Sequence, residues 1–212
     1  MLLTLSDWFR IWCDKLCSGV YFSGFVLLLI LAGCKTDYKK LPAYSKTKQL
    51  QVVVLTPAGT NQPQQYNNQK KEFTPALDAG IAEHIKFLPY PGNWGFVPAT
   101  AYRHHDGAES KPLELLVIAE SQPSGTVQEV VPIATLILNV AGELRPIPVA
   151  VPARPSEQII AATDFESFTE EYPAAKDIIQ QWFLHYNPHK QTRLVGWKDE
   201  KYTDQFIRRH LR

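Results

Sequence analysis

The sequence predicts a mainly β domain, a small barrel followed by C-terminal helices. Short apolar runs recur at regular spacing between turn residues. Sixteen prolines and the β-branched runs favour strands and turns over a helical bundle. Helical 3-to-4 spacing of apolar residues is confined to the last third of the chain.

The elements follow in order. Residues 51–55 (QVVVL) form a short buried strand closed by Pro57 and Gly59. Residues 61–71, rich in Gln and Asn, read as a polar surface loop. Residues 85–100 (IKFLPYPGNWGFVPAT) hold three prolines and two glycines among aromatics, so they cannot be a helix and predict an ordered, irregular segment. Residues 113–118 (LELLVI) are a strand, and residues 126–138 a long strand or a strand pair with Pro132 at a bulge or edge. Residues 147–151 are another. Thr163 caps a helical stretch that breaks before Pro173, and residues 174–186 carry Ile178, Ile179, Trp182, Phe183 and Tyr186 on one helical face. Residues 193–197 are a last strand, and residues 198–211 a charged helix or tail.

At 212 residues the chain is long enough for one domain with a sizeable core. Apolar residues at 45% and charged residues at 20% exclude a disordered tail, collagen or a coiled coil. A net charge of +1 leaves no electrostatic footprint for nucleic acid. The three cysteines, Cys13, Cys17 and Cys34, precede the body of the domain, which excludes a disulfide or a Cys-ligated zinc there.

The N-terminal segment predicts an exported, lipid-anchored protein. Residues 20–33 (VYFSGFVLLLILAG) are shorter than the roughly 20 residues of a bilayer span and match a signal-peptide h-region. Arg10 and Lys15 make the preceding segment positive. The run ends Leu31-Ala32-Gly33-Cys34, which resembles the bacterial lipobox. That resemblance implies a signal peptide over 1–33, a lipid on Cys34 and a place in the cell envelope, on the periplasmic side or in the outer membrane. Residues 34–49 are polar and Lys-rich and predict a tether; the domain then spans 50–212.

Four segments of that domain resemble soluble (family I) inorganic pyrophosphatases, in the family's order. FLPYPGNWGFVP is similar to the family's aromatic Tyr-Pro-x-Asn-Tyr-Gly-Phe-x-Pro stretch. KPLELLVIAES is similar to its Asp-Gly-Asp-Pro-x-Asp-Val-Leu-Val signature. GELRPIPVAVP and WFLHYNPHKQTRLVGW resemble its later acidic segment and its terminal helix with the last strand. The resemblance implies a small, closed, OB-like β-barrel with flanking helices, a homo-oligomer, and Mg²⁺-dependent hydrolysis of diphosphate to two phosphates. Such chemistry needs clustered aspartates for the metals and Lys, Arg and Tyr for the phosphate oxygens.

Residue by residue, the match departs where the metals belong. The three aspartate positions of the signature hold Glu109, Lys111 and Glu114. Two further aspartate positions fall at Val140 and Arg145, and the lysine after them at Ile147. The phosphate-binding arginine falls at Ala82, the lysine after the helix tyrosine at Asn187, and the second tyrosine of the aromatic stretch at Trp94. The first strand and loop put an acidic and a lysine position near Leu55 and Gln65. Tyr90 and Tyr186 match phosphate-contacting tyrosines; Asn93 and Gly95 match as residues of the turn.

A cation about 6 Å from a divalent metal repels it by roughly 5 kcal/mol at an effective dielectric of 20. Two readings follow. In the first, the site is degenerate and metal-free, Lys111 and Arg145 pair with Glu109, Glu114 or Glu143, and the protein is a non-catalytic envelope module holding phosphate or diphosphate with Tyr90, Tyr186, Lys111 and Arg145. In the second, it is an active diphosphatase in which Glu109, Glu114 and Glu143 hold Mg²⁺, with Glu109 and Glu114 catalytic. His104, His105 and Asp106 read as a solvated loop, and His185 and His189 as polar groups at a helix C-terminus.

Overall fold

The computed structural model describes residues 36–78, 80–103 and 110–212. The signal segment, Cys34, the 104–106 His-His-Asp run and Glu109 lie outside them. Asp37–Arg212 forms one compact unit.

Six strands make the main sheet: β1 (Leu50–Thr56), β6 (Asn93–Phe96), β7 (Glu114–Val117), β9 (Glu143–Pro152), β8 (Val127–Val140) and β10 (Thr192–Lys198), in that spatial order. The sheet curls until the first residues of β8 also pair with β1, Leu50 opposite Val130. All pairings are antiparallel except β7 with β9. Pro132 falls where the β8–β9 register shifts, so its missing N–H sits at a bulge, as the sequence predicts. Pro146 and Pro148 lie in the half of β9 that β7 does not pair with.

Alternation along the strands explains why the sheet is buried on both sides. Leu115 and Val117 of β7 join Val52, Val97, Val130 and Ala150 in one cluster, while Leu116 between them faces another with Leu136, Leu138 and Val149. Three helices cover these faces. Helix α1 (Phe165–Glu170) and α2 (Pro173–His185) bring Phe168, Ile179, Trp182 and Phe183 to the Leu116 side. Helix α3 (Glu200–Arg209) brings Phe206 and Ile207 to the other and is pinned by a buried bond between Thr203 and Thr135 of β8, 2.7 Å. The cap of α1 is Asp164, not Thr163. Its carboxylate accepts from the Ser167 N–H at 2.8 Å, and the Ser167 hydroxyl closes the reciprocal bond.

Three further expectations are corrected. Within the 85–100 segment expected to be irregular, Asn93–Phe96 forms β6, between β1 and β7. The 61–71 stretch is not wholly loop: β2 (Gln64–Asn67) pairs with β3 (Glu72–Pro75), and a two-residue pair, β4 (Leu77–Asp78) with β5 (Ile81–Ala82), follows. The segment expected as a tether is packed from Asp37 on. A 3₁₀ turn (Tyr38–Lys40) sets the Tyr38 ring against Tyr66 and Phe73, at centroid distances of 5.4 and 5.2 Å, and Ala43 is buried beside Leu50. Apolar side chains spaced through the polar stretch supply this anchoring.

Candidate functional site

The aromatic stretch folds as it does because its backbone is crowded. A Cβ on Gly95 would lie 2.6 Å from the Val53 carbonyl, and one on Gly92 2.5 Å from that of Val117. Asn93 is fully buried. Its side-chain oxygen accepts from the N–H groups of Ala58 and Gln122, both at 3.0 Å, and its amide donates to the Glu120 carbonyl at 2.8 Å. This staple locks the turn, so Tyr90 and Trp94 have fixed positions.

Tyr90 and Trp94 join an aromatic wall with α2. The Tyr90 ring lies 4.7 Å from that of Trp182, and Trp182 stacks on Tyr186 at 4.8 Å with 2° between the planes. Trp182 is oriented by donating its indole N–H to the Leu88 carbonyl, 2.8 Å. This wall borders a cleft of about 430 Å³, which Lys111, Glu114, Arg145, Glu83, Tyr102 and Lys190 also line.

The sequence-derived site residues separate here. Tyr90, Tyr186, Lys111, Glu114 and Arg145 share the cleft, together with Val140 and Ile147, where the resemblance implies an aspartate and a lysine. Glu143 does not line it. Two of the three expected partners of the cations are corrected: among the described residues neither Lys111 nor Arg145 forms an ion pair with Glu114 or Glu143, while Glu109, the third, lies outside them. Instead the Arg145 Nε is buried without a hydrogen-bond partner among the described residues. Arg145 lies on β9 before a proline, so backbone pairing with Leu138 holds it in place whatever its side chain meets.

Electrostatics sort the remaining groups. Burial pushes the Glu114 carboxyl above the usual carboxylate range, and this outweighs the pull of Lys111, a hydrogen bond from the Trp94 side chain and Arg145. Burial likewise raises the phenol of Tyr90, with Tyr186 and Glu114 adding to it. It raises that of Tyr186 despite Arg145. Both phenols therefore stay protonated and can donate to an anion. The cleft offers three cations, three neutral phenols (Tyr90, Tyr102 and Tyr186), one carboxylate held toward its acid form and Glu83. No three His, Cys, Asp or Glu side chains among the described residues gather to hold a metal ion.

Between the ordinary glutamate pKa and the raised one, the native state keeps a proton that the unfolded chain has released, so stability falls as pH rises through that window. Glu114→Gln removes that loss. Its melting temperature at pH 8 is expected to equal or exceed that of the parent, with the gap narrowing by pH 4. A lower value at pH 8 would show that the carboxylate is stabilising.

Sequence reasoning missed Glu83, Tyr102 and Lys190. Glu83 stands one place after Ala82, where the resemblance calls for an arginine, and Lys190 three places after Asn187, where it calls for a lysine. Only Lys190 carried a signal, a cation displaced by three positions, since Glu83 has the opposite sign to the expected arginine and Tyr102 has no charge.

Comparison with known proteins agrees with this geometry. The family model for inorganic pyrophosphatase matches residues 52–212. The inorganic pyrophosphatase of Brucella melitensis is 32% identical over 168 residues, covering 74% of this chain and 85% of that protein. That of Mesorhizobium japonicum is 27% identical over 161 residues, covering 74% and 84%. Among solved structures, the inorganic pyrophosphatase from Thermus thermophilus superposes with a TM-score of 0.66 at 22% identity, over 82% of this chain and 95% of that one. The type I enzyme from P. falciparum gives 0.69 at 15%, over 82% and 61%. Fold, segment order and extent of match agree: the chain belongs to the inorganic pyrophosphatase family.

Proposed function

We propose that this protein binds phosphate or diphosphate without a metal and does not hydrolyse diphosphate. The observation that carries the reading is Arg145, whose buried Nε lacks a partner in a cleft that Lys111 also lines. Both stand where the family resemblance places metal-binding aspartates. An unpartnered, desolvated guanidinium N–H is costly, and a phosphate oxygen satisfies it with a charge-assisted bond. The described donor set does not fit a magnesium cluster. Mg²⁺ wants several anionic oxygens in near-octahedral array. Here Glu114 leans to its acid form beside two cations, and Val140, at an aspartate position of the resemblance, offers no ligand atom.

Phosphate release from diphosphate decides between binding and catalysis. The full chain in detergent is expected to release none above blank, with or without Mg²⁺, and to be stabilised against heat by diphosphate in EDTA. Mg²⁺-dependent turnover above about 1 per second would overturn the reading. The second reading, an active diphosphatase, is favoured by the names of the relatives and by Glu114, a carboxyl whose raised pKa suits acid–base work.

The place of action is the cell envelope, through a lipid on Cys34. The run from Val20 to Cys34 supports this: length, positive flank, small residues and cysteine coincide. Export also fits the loss of ligands, since diphosphate arises in cytoplasmic biosynthesis. Cys34→Ala is expected to leave the protein unlipidated and to shift it out of the membrane fraction. Retention there by a lipid-dependent route would refute the anchor.

A further inference from the structure

A second cavity, of about 210 Å³, abuts the first. Gln64, Gln65, Lys111, Pro112 and Glu114 line both, so Lys111 stands between them. The far side of the second cavity is made by Lys39, Tyr66, Phe96 and Ser110. Lys39 comes from the segment upstream of β1. It is held there because Tyr38 wedges against Tyr66 and Phe73 and because the Lys39 carbonyl accepts from the Ala99 N–H at 3.3 Å. The segment thus completes a cavity rather than serving as a spacer.

The lining states what such a space takes. Gln64 and Gln65 each spend one amide N–H on a main-chain carbonyl, those of Gln62 and Pro75, both at 3.3 Å. Each keeps its side-chain oxygen and a second N–H for a ligand. Ser110 and Lys39 add further polar groups, and the Tyr66 and Phe96 rings, 6.4 Å apart, add an apolar edge. This mixture suits a hydroxyl-rich ring. The first cavity alone already has the size of sites that take whole organic ligands, about 300–1,000 Å³. Inorganic diphosphate leaves much of it empty and cannot use the second.

We infer that the cleft takes a phosphate ester of a sugar, with the phosphate at Arg145, Lys111 and the two tyrosines and the sugar in the Gln64–Ser110–Lys39 cavity. This rests on the oxyanion reading above. The test measures binding to the full chain in detergent and EDTA by calorimetry, using inorganic phosphate and glucose 1-phosphate as probes. The ester is expected to bind at least about 10-fold tighter. Lys39→Ala and Ser110→Ala, which touch only the second cavity, are each expected to cut that advantage about threefold or more while leaving phosphate affinity unchanged and the melting temperature close to the parent's. Equal binding of the two probes, or an advantage that survives both substitutions, overturns the inference and leaves the oxyanion reading standing. Failure of both probes to bind overturns both.

Discussion

Arg145→Ala is expected to weaken diphosphate binding in EDTA about 10- to 100-fold while leaving the melting temperature unchanged or higher. The two effects have opposite signs for one reason. A hydrogen bond between charged partners contributes about 1.5–3 kcal/mol, which is the affinity lost. The free protein already bears the cost of holding the Arg145 Nε out of water without a partner. Truncation removes that cost and breaks no ion pair with Glu114 or Glu143. A residue serving stability would behave the other way, losing heat resistance with binding intact. Isothermal calorimetry and a thermal melt on the same sample separate the cases. Unchanged diphosphate affinity would remove the main support for the oxyanion reading.

The second large effect is on the fold. Gly95→Ala is expected to cost about 2–3 kcal/mol, read as a fall in melting temperature of about 5–10 °C. The new methyl would sit 2.6 Å from both the Val53 carbonyl and the Val52 Cγ1. The valine methyl can rotate away, but the carbonyl belongs to the β1 backbone, so β1 and β6 must part. Gly142→Ala is the control. It lies at a positive φ of 98° with open space around it, so only local backbone strain of about 1 kcal/mol is expected. Equal losses at both positions would show that crowding at β1 is not the cause.

What the sequence made legible was whatever depends on near neighbours. The run 51–55, the bulge at Pro132 and the amphipathic face of α2 each follow from local periodicity or the chemistry of one residue, and each stands within a few positions of its expected place, except that Ile178, expected on that face, is exposed. The β2–β3 hairpin was not legible because its residues are polar. Its strands hold because Tyr66 and Phe73 meet Tyr38, a contact between distant positions that no window contains. The site divides the same way. Tyr90, Tyr186, Lys111, Glu114 and Arg145 could be placed together by resemblance, but Glu83 and Lys190 reach the cleft from shifted positions. The expected pairs with Glu114 and Glu143 failed because side chains can share a cleft, as Lys111, Glu114 and Arg145 do, without meeting.

The β8–β9 pairing sets an order of assembly. Val140 and Glu143 face each other across Ala141 and Gly142, whose φ values of 54° and 98° match the turn that suits the strands' twist, and the Asn139 side chain accepts from the Gly142 N–H at 2.9 Å. This hairpin closes a loop of two residues and forms in microseconds. The other partners of β8 come from far along the chain: Leu50 meets Val130, and Lys198 meets Thr135. Those closures carry the entropic cost of long loops, so refolding is limited by the arrival of β1 and β10 on a hairpin already made. Substitutions in the β8–β9 turn should therefore slow refolding, and so should changes in β1 or β10 that weaken their docking on the hairpin.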